Sequence, residues 1–318
     1  MLSLYKGIAT IIMLHRVFPL EPNKLPPNEN LKVSPEFLET FIVGALHRGY
    51  AFVSLDDLHN ILSMDTKASK LIVMTLDDGY ADNFTYAYPI FKKFNIPFVI
   101  YVTTSFPDKS VILWWHVLED MIAQSDSISL TNGLNFKCET KKQKIDAFMT
   151  LRKIIIDLPN ECFLHSLNKL FKSGPFDWSG QFFDLVISWK QLKEISESPL
   201  ATIGAHTVNH HALSGLSNKN LTKEIIDSKV IIESHIGTQV EHFCYPFGGR
   251  IEAGEREFRI VKELGFRTAV TTRFGNIFSE HSDHLLSLPR VMLTNQFLWS
   301  NFNFRSMKQF LKCRVVTA

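Results

Sequence analysis

The residues of this 318-residue chain that could do hydrolytic chemistry are concentrated in a few short stretches. TLDDG at 75–79 sets two carboxylates, Asp77 and Asp78, side by side at the end of the apolar run KLIVMT. Adjacent carboxylates raise each other's pKa and burial adds to the cost, so something nearby should neutralise them. GAHTVNHHALS at 204–214 supplies a candidate. His206 and His210 are four apart, and on a helical turn that spacing puts two imidazoles on one face. A divalent ion held by Asp78, His206 and His210 would neutralise the pair and leave one position open for water, the pattern of a catalytic site. Such an ion, expected to be zinc, lowers the pKa of water towards ~7. Asp77, not needed as a ligand, would then be the general base. His211 could replace His210 at a spacing of five. Either stretch alone is weak, since Asp-Asp-Gly is common in turns. The weight lies in finding both at strand ends.

The elements that must position these groups alternate along the chain. GIATIIMLH, YAFVSL, KLIVMTLDD and IPFVIYVTTSF read as strands, with helical patterns between them. Ser34-Pro35 and Ser54 mark helix starts, and YADNFTYAYPIFKKFN reads as a helical segment kinked or ended near Pro89. From about 106 to 190 the pattern changes to helical periodicities alone, read as an insertion. Strand-like runs return at ATIGAHT, HFCYPFGG, FRTAVTTRF and LLSLPRVML. About seven strands alternating with helices predict a parallel sheet, either a (β/α) barrel or an open doubly wound sheet. In both, chemistry gathers at the C-terminal ends of the strands. His15, the Asp77–Asp78 pair, His206, Tyr245 with its neighbours and Arg290 fall at five such ends, and Tyr245 is expected among the substrate-binding residues.

TLDDG followed by HTVNH resembles the motifs T-F-D-D-G and H-[S/T]-x-x-H of the polysaccharide deacetylases. The resemblance covers roughly residues 8–110 and 185–295. It implies a distorted (β/α) barrel of about seven strands, removal of N-acetyl or less often O-acetyl groups from glycans, Asp77 as base, and Asp78, His206 and His210 as metal ligands. That family's third motif, R-x-P-Y, is matched only loosely by CYPFG at 244–248. Phe247 would hold the position whose backbone N–H helps bind the oxyanion, but Cys244 stands where the family has arginine. Arg290, in LPRVML, could substitute from another direction. The family's general-acid motif, L-x-H, is absent near the last strand, and MLHRV at 13–17 looks like a permuted form of it. His15 would then protonate the leaving amine and Met13 could line the acetyl pocket. The adjacent aromatics Trp114 and Trp115 open the insertion and could stack on a sugar face.

Composition is compatible with this. Hydrophobic residues are 45% and charged residues 21%, as in a globular protein. A net charge of +2 gives no argument for nucleic acid or an anionic membrane. Cys138, Cys162, Cys244 and Cys313 form no CxxC pair and read as free thiols of a reducing compartment. Lys6 and His15-Arg16 break up the apolar N-terminus, which reads as a core strand and not as a signal peptide or membrane span. The expectation is therefore a cytoplasmic, single-domain metal hydrolase over residues 1–318 acting on an N-acetylated sugar. The alternatives are a sugar O-acetyl esterase or other amide hydrolase, and a sugar-binding pseudoenzyme, which the missing arginine at 244 would favour.

Overall fold

The computed structural model describes residues 7–64, 69–172, 177, 178 and 182–297, the Glu161 side chain excepted. Cys313 and part of the expected insertion lie outside the described residues. Seven strands form a closed ring: β1 (Ala9–Leu14), β2 (Leu71–Leu76), β3 (Phe98–Val102), β4 (Ala201–Ala205), β5 (His242–Cys244), β6 (Thr268–Phe274) and β7 (Leu288–Met292). Each pairs in parallel with the next in the chain. The ring closes where Ile12 of β1 lies beside Val291 of β7. This settles the choice between barrel and open sheet. The stretch YAFVSL contributes only a two-residue strand, Ala51–Phe52, attached outside the ring to the start of β2.

The strands read as continuous apolar runs because both faces are covered. Every residue of ATIIML and LIVMTL is buried. One face fills the barrel with Ala9, Ile11, Val73, Val99, Tyr101, Val270 and Leu288. The other packs Ile12, Leu14, Ile72, Met74 and Ile100 against the surrounding helices. Gly204 is dictated by this interior: a Cβ there would stand 2.4 Å from the Tyr101 ring.

The covering helices begin where their caps predict. Ser34 Oγ accepts from Phe37 N ahead of α1 (Pro35–His47), and a Ser54–Asp57 capping box opens α2 (Leu55–Ser63). The segment around Pro89 is one wide turn, Asn83–Ala87, running into α3 (Tyr88–Phe94). Proline lacks an N–H and crowds the carbonyl four residues back, so the turn before it widens. Between β3 and β4 come α4 (Trp114–Gln124), α5 (Lys141–Ile156) and α6 (Phe163–Leu170), which share a cluster of their own around Leu118, Phe148, Leu151 and Trp178. This segment is not wholly helical. Ser127–Ser129 pairs antiparallel with Asn135–Lys137 around an Asn-Gly turn. The chain returns to the barrel through α7 (Trp189–Ser196), with α8 (Asn218–Ile236) and α9 (Glu255–Glu263) following. Among the described residues no helix is long and apolar enough to cross a membrane.

Candidate active site

Asp77 and Asp78 leave the C-terminal end of β2 and diverge at once. Asp77 continues the ladder, its N–H donating to Leu14 O at 2.9 Å. Asp78 then turns to φ +75° and Gly79 to +92°, which sends the second carboxylate away from the first. Both side chains are buried, 2% and 5% exposed. Their partners differ in kind.

Asp77 is held by Arg290. Nη1 donates to Oδ1 and Nη2 to Oδ2, each at 2.7 Å. The guanidinium also donates to Thr271 O, Thr75 Oγ1 and Cys244 Sγ. Strand alternation puts it there: Leu288 faces the barrel interior, and Arg290, two residues on, faces the same way one layer higher. Burial pushes the Asp77 pKa up, but the charge and hydrogen bonds of Arg290 outweigh it and the net shift is downward. Burial pulls the Arg290 pKa down, but the facing Asp77 and Cys244 outweigh it and the net shift is upward. A cation thus reaches Asp77 from β7, while Cys244 occupies the position on β5.

Among the described residues Asp78 has no arginine or lysine partner. Its Oδ1 lies 3.3 Å from His206 Nε2 and 3.3 Å from His210 Nε2. Burial raises its pKa, yet the facing imidazoles hold it well below the carboxylate range. The histidines do not sit on a helical turn, as their spacing suggested. Residues 206–210 form an irregular loop in which Thr207 and His210 take φ of +65° and +58°. Two holds fix it. His210 N donates to Thr207 Oγ1, and Glu224 of α8 accepts from Val208 N, Asn209 N and Asn209 Nδ2 at 3.0, 2.9 and 2.6 Å. His206 Nδ1 donates to Cys244 O at 2.7 Å, which turns Nε2 towards Asp78. One carboxylate oxygen and two imidazole nitrogens lie within 4.8 Å of one another. That donor set suits a borderline cation such as zinc. Asp77, His206 and Cys244 also come together, but both Asp77 oxygens are already engaged by a guanidinium. His211 is absent from these groups, and its ring packs beside Phe163.

His15 stands at the end of β1 with Nε2 4.0 Å from Asp77 Oδ2, and Met13 lies two residues below on the same face. Phe247 takes φ +60° and sets its ring 4.8 Å from that of His210. Asp78, Thr207, His210 and Phe247 are half of the eight described non-glycine residues with positive φ. Such backbones cost about 1–3 kcal/mol each and collect where a site must be held in one geometry. Tyr245 is a correction. Cys244 faces the barrel, so Tyr245 faces outward, fully buried against Phe243 and Phe258, and donates its hydroxyl to Leu286 O. Its side chain cannot meet a substrate.

A cavity of about 270 Å³ opens beside His210, lined by Trp115, Phe163, Asn209, His211 and Phe247 among others. Trp114 borders it but is only 6% exposed and packs in the insertion cluster. Trp115 is the ring against His210, with centroids 5.6 Å apart. Its Nε1 donates to Tyr80 Oη at 2.9 Å. Burial and the Asp78 charge keep Tyr80 protonated. Its hydroxyl faces His116 Nε2 at 3.4 Å, and burial pulls the His116 pKa down to about 3, leaving a neutral acceptor. Neither Glu224 nor Tyr80 was visible as a site residue. A helix-surface glutamate and a tyrosine after Asp-Asp-Gly carry no signal until the loops around them are placed.

Residues 64–269, well over half of the chain, match the family described as polysaccharide deacetylase. The candidate polysaccharide deacetylase YxkH of Bacillus subtilis (strain 168) is 21% identical over 280 residues, covering 85% of this chain and 72% of that protein. Among solved structures, the Streptococcus pyogenes deacetylase PplD has a TM-score of 0.62 at 21% identity, covering 93% of this chain and 96% of PplD. IcaB from Ammonifex degensii has a TM-score of 0.57 at 16% identity, covering 93% and 94%. At those identities the structures speak for the fold, a (β/α)₇ barrel. The family match speaks for the chemistry: this chain belongs to the polysaccharide deacetylase family, hydrolases that act on the N-acetyl amide bond.

Proposed function

We propose that the protein removes N-acetyl groups from an amino sugar of a glycan or glycan precursor, with a divalent metal, zinc, held by Asp78, His206 and His210. The observation that carries this is the difference between two adjacent buried carboxylates. Asp77 has a bidentate arginine, whereas Asp78 faces, among the described residues, two imidazoles whose Nε2 atoms converge on it. A buried anion without a fixed cation, ringed by metal-type ligands, fits a bound dication. Bound there, the ion would supply Lewis acidity towards the acetyl carbonyl and lower the pKa of a water.

The residues of the chain do the rest. Asp77 accepts the proton of the attacking water, and Arg290 keeps it ionised and oriented. The Phe247 backbone N–H, on a loop anchored where Thr272 Oγ1 donates to Phe247 O, would donate to the developing oxyanion. His15, at the end of β1 beside Asp77, gives its proton to the departing nitrogen. Met13 and the Trp115 ring close the acetamido group off from water. Acetate then leaves with a free amine on the sugar.

The test is acetate release from N-acetylated oligosaccharides and O-acetylated sugars, with and without chelator, alongside the metal content of the purified protein. Amide cleavage lost on chelation, with about one zinc per chain, is the expected result. Cleavage of esters alone would move the reading to an O-acetyl esterase. A protein that binds glycans and releases no acetate would be a pseudoenzyme.

A further inference from the structure

Arg152 lies on α5, one helical turn before Ile156, which borders the cavity. Its guanidinium carbon is 5.3 Å from the centre of the Phe247 ring. Phe247 in turn lies against His210, so the cation stands one aromatic ring away from the Asp78–His206–His210 cluster. Arg290, Arg16 and Lys24 have acidic partners in Asp77, Asp82 and Asp120. Arg152 is half-buried and has no ion pair or hydrogen bond among the described residues. Burial pulls its pKa down, and the charge of Glu252 acts against that. A partly desolvated guanidinium without an ion pair is costly to keep, and a ring face compensates only in part.

We propose that Arg152 is an anion subsite of the substrate groove, taking a carboxylate or phosphate carried by a sugar next to the one that is deacetylated. The inference rests on the N-deacetylase reading above. The planar guanidinium offers paired N–H donors to either group, and the Phe247 ring stands beside it. Because α5 belongs to the segment between β3 and β4, selectivity for charge is separate from the catalytic groups on the strand ends.

The experiment uses three fully N-acetylated glucosamine tetraoses: neutral, oxidised at C6 to carboxylates, and phosphorylated at C6. Acetate release and calorimetric binding are measured for the wild type, Arg152→Gln and Arg152→Lys. The wild type should favour at least one anionic tetraose over the neutral one by about 10-fold in kcat/KM and in Kd, and less so in high salt. Which anion is favoured separates carboxylate from phosphate. Arg152→Gln should bring the anionic-to-neutral ratio close to one, and Arg152→Lys should recover part of it. A wild type without preference, or a ratio unchanged in Arg152→Gln, overturns the subsite. If no tetraose releases acetate, the deacetylase reading fails, while the binding ratios still decide the role of Arg152.

Discussion

Asp77 and Asp78 are neighbours in the chain with opposite surroundings, and mutation should separate them. Asp78→Asn replaces a carboxylate with a neutral amide, a poorer ligand for a dication, and should lose metal. Asp77→Asn should keep metal and lose at least about 10² in turnover, the low end for removing a general base. Metal occupancy and acetate release, measured side by side, decide; the reverse pattern would exchange the two roles. Arg290 offers a second test. Breaking a buried ion pair by removing one partner costs about 3–5 kcal/mol. Arg290→Ala should therefore lower stability to denaturant by that order, and Arg290→Lys should be only a partial repair because one ammonium cannot meet both Asp77 oxygens. Wild-type stability in Arg290→Ala would mean that Thr75, Thr271 and Cys244 hold the site without it.

The loop at 206–210 shows how an element carries a site without being regular. Three hydrogen bonds to one carboxylate, Glu224, hold the residues between the two histidines. Glu224→Ala frees Val208 and Asn209 and lets His210 leave its positive-φ conformation. Zinc affinity, read by competition with a chromogenic chelator, should fall about 10–100-fold, the usual loss when an outer support of a ligand is removed. Glu224→Gln, which keeps one acceptor, should fall less; equal affinities in all three proteins would assign the loop's geometry to Thr207 alone. This also marks where sequence stopped being informative. The pairing of Asp78 with His206 and His210 was legible because ligand types and order survive any loop shape. The loop shape was not, because an i, i+4 spacing looks the same in a helix and in a turn strained at Thr207 and His210. Tyr245 failed for a related reason. One strand position decides whether a side chain faces barrel or helices, and CYPFG alone does not fix that register. The seven strands were legible from their buried apolar runs, but the hairpin at 127–137 was hidden inside a segment read by helical period alone.

At the scale of the whole molecule the barrel has two ends with different work. The C-terminal end holds the strained loops and the candidate site. The other end is tied by a charged network around Arg267, which donates to Asp56 Oδ1 at 2.6 Å and to Glu241 Oε2 at 3.1 Å. His242 reaches Asp56 at 3.3 Å and Thr268 Oγ1 at 2.8 Å, so α2 is fastened to the starts of β5 and β6. The hydrogen bond with His242 lowers the Asp56 pKa, burial opposes it, and the charges of His242 and Arg267 add to the lowering. A carboxyl depressed in the folded state adds stability that is fully present above its unfolded pKa of about 3.9 and is lost as pH falls through the lower folded value. Asp56→Asn should therefore melt below the wild type at neutral pH, by a modest gap because Asp56 is 40% exposed. The gap should hold down to about pH 5 and close as pH drops below about 4. Asp82 titrates with the opposite sign, since burial lifts its pKa despite Arg16, but it is common to both proteins and cancels in the difference. Thermal melts of the pair across that range are the measurement. A gap that persists or widens in acid would show that Asp56 acts there as a neutral helix-capping group, and that the closed end of the barrel is held by packing and not by charge.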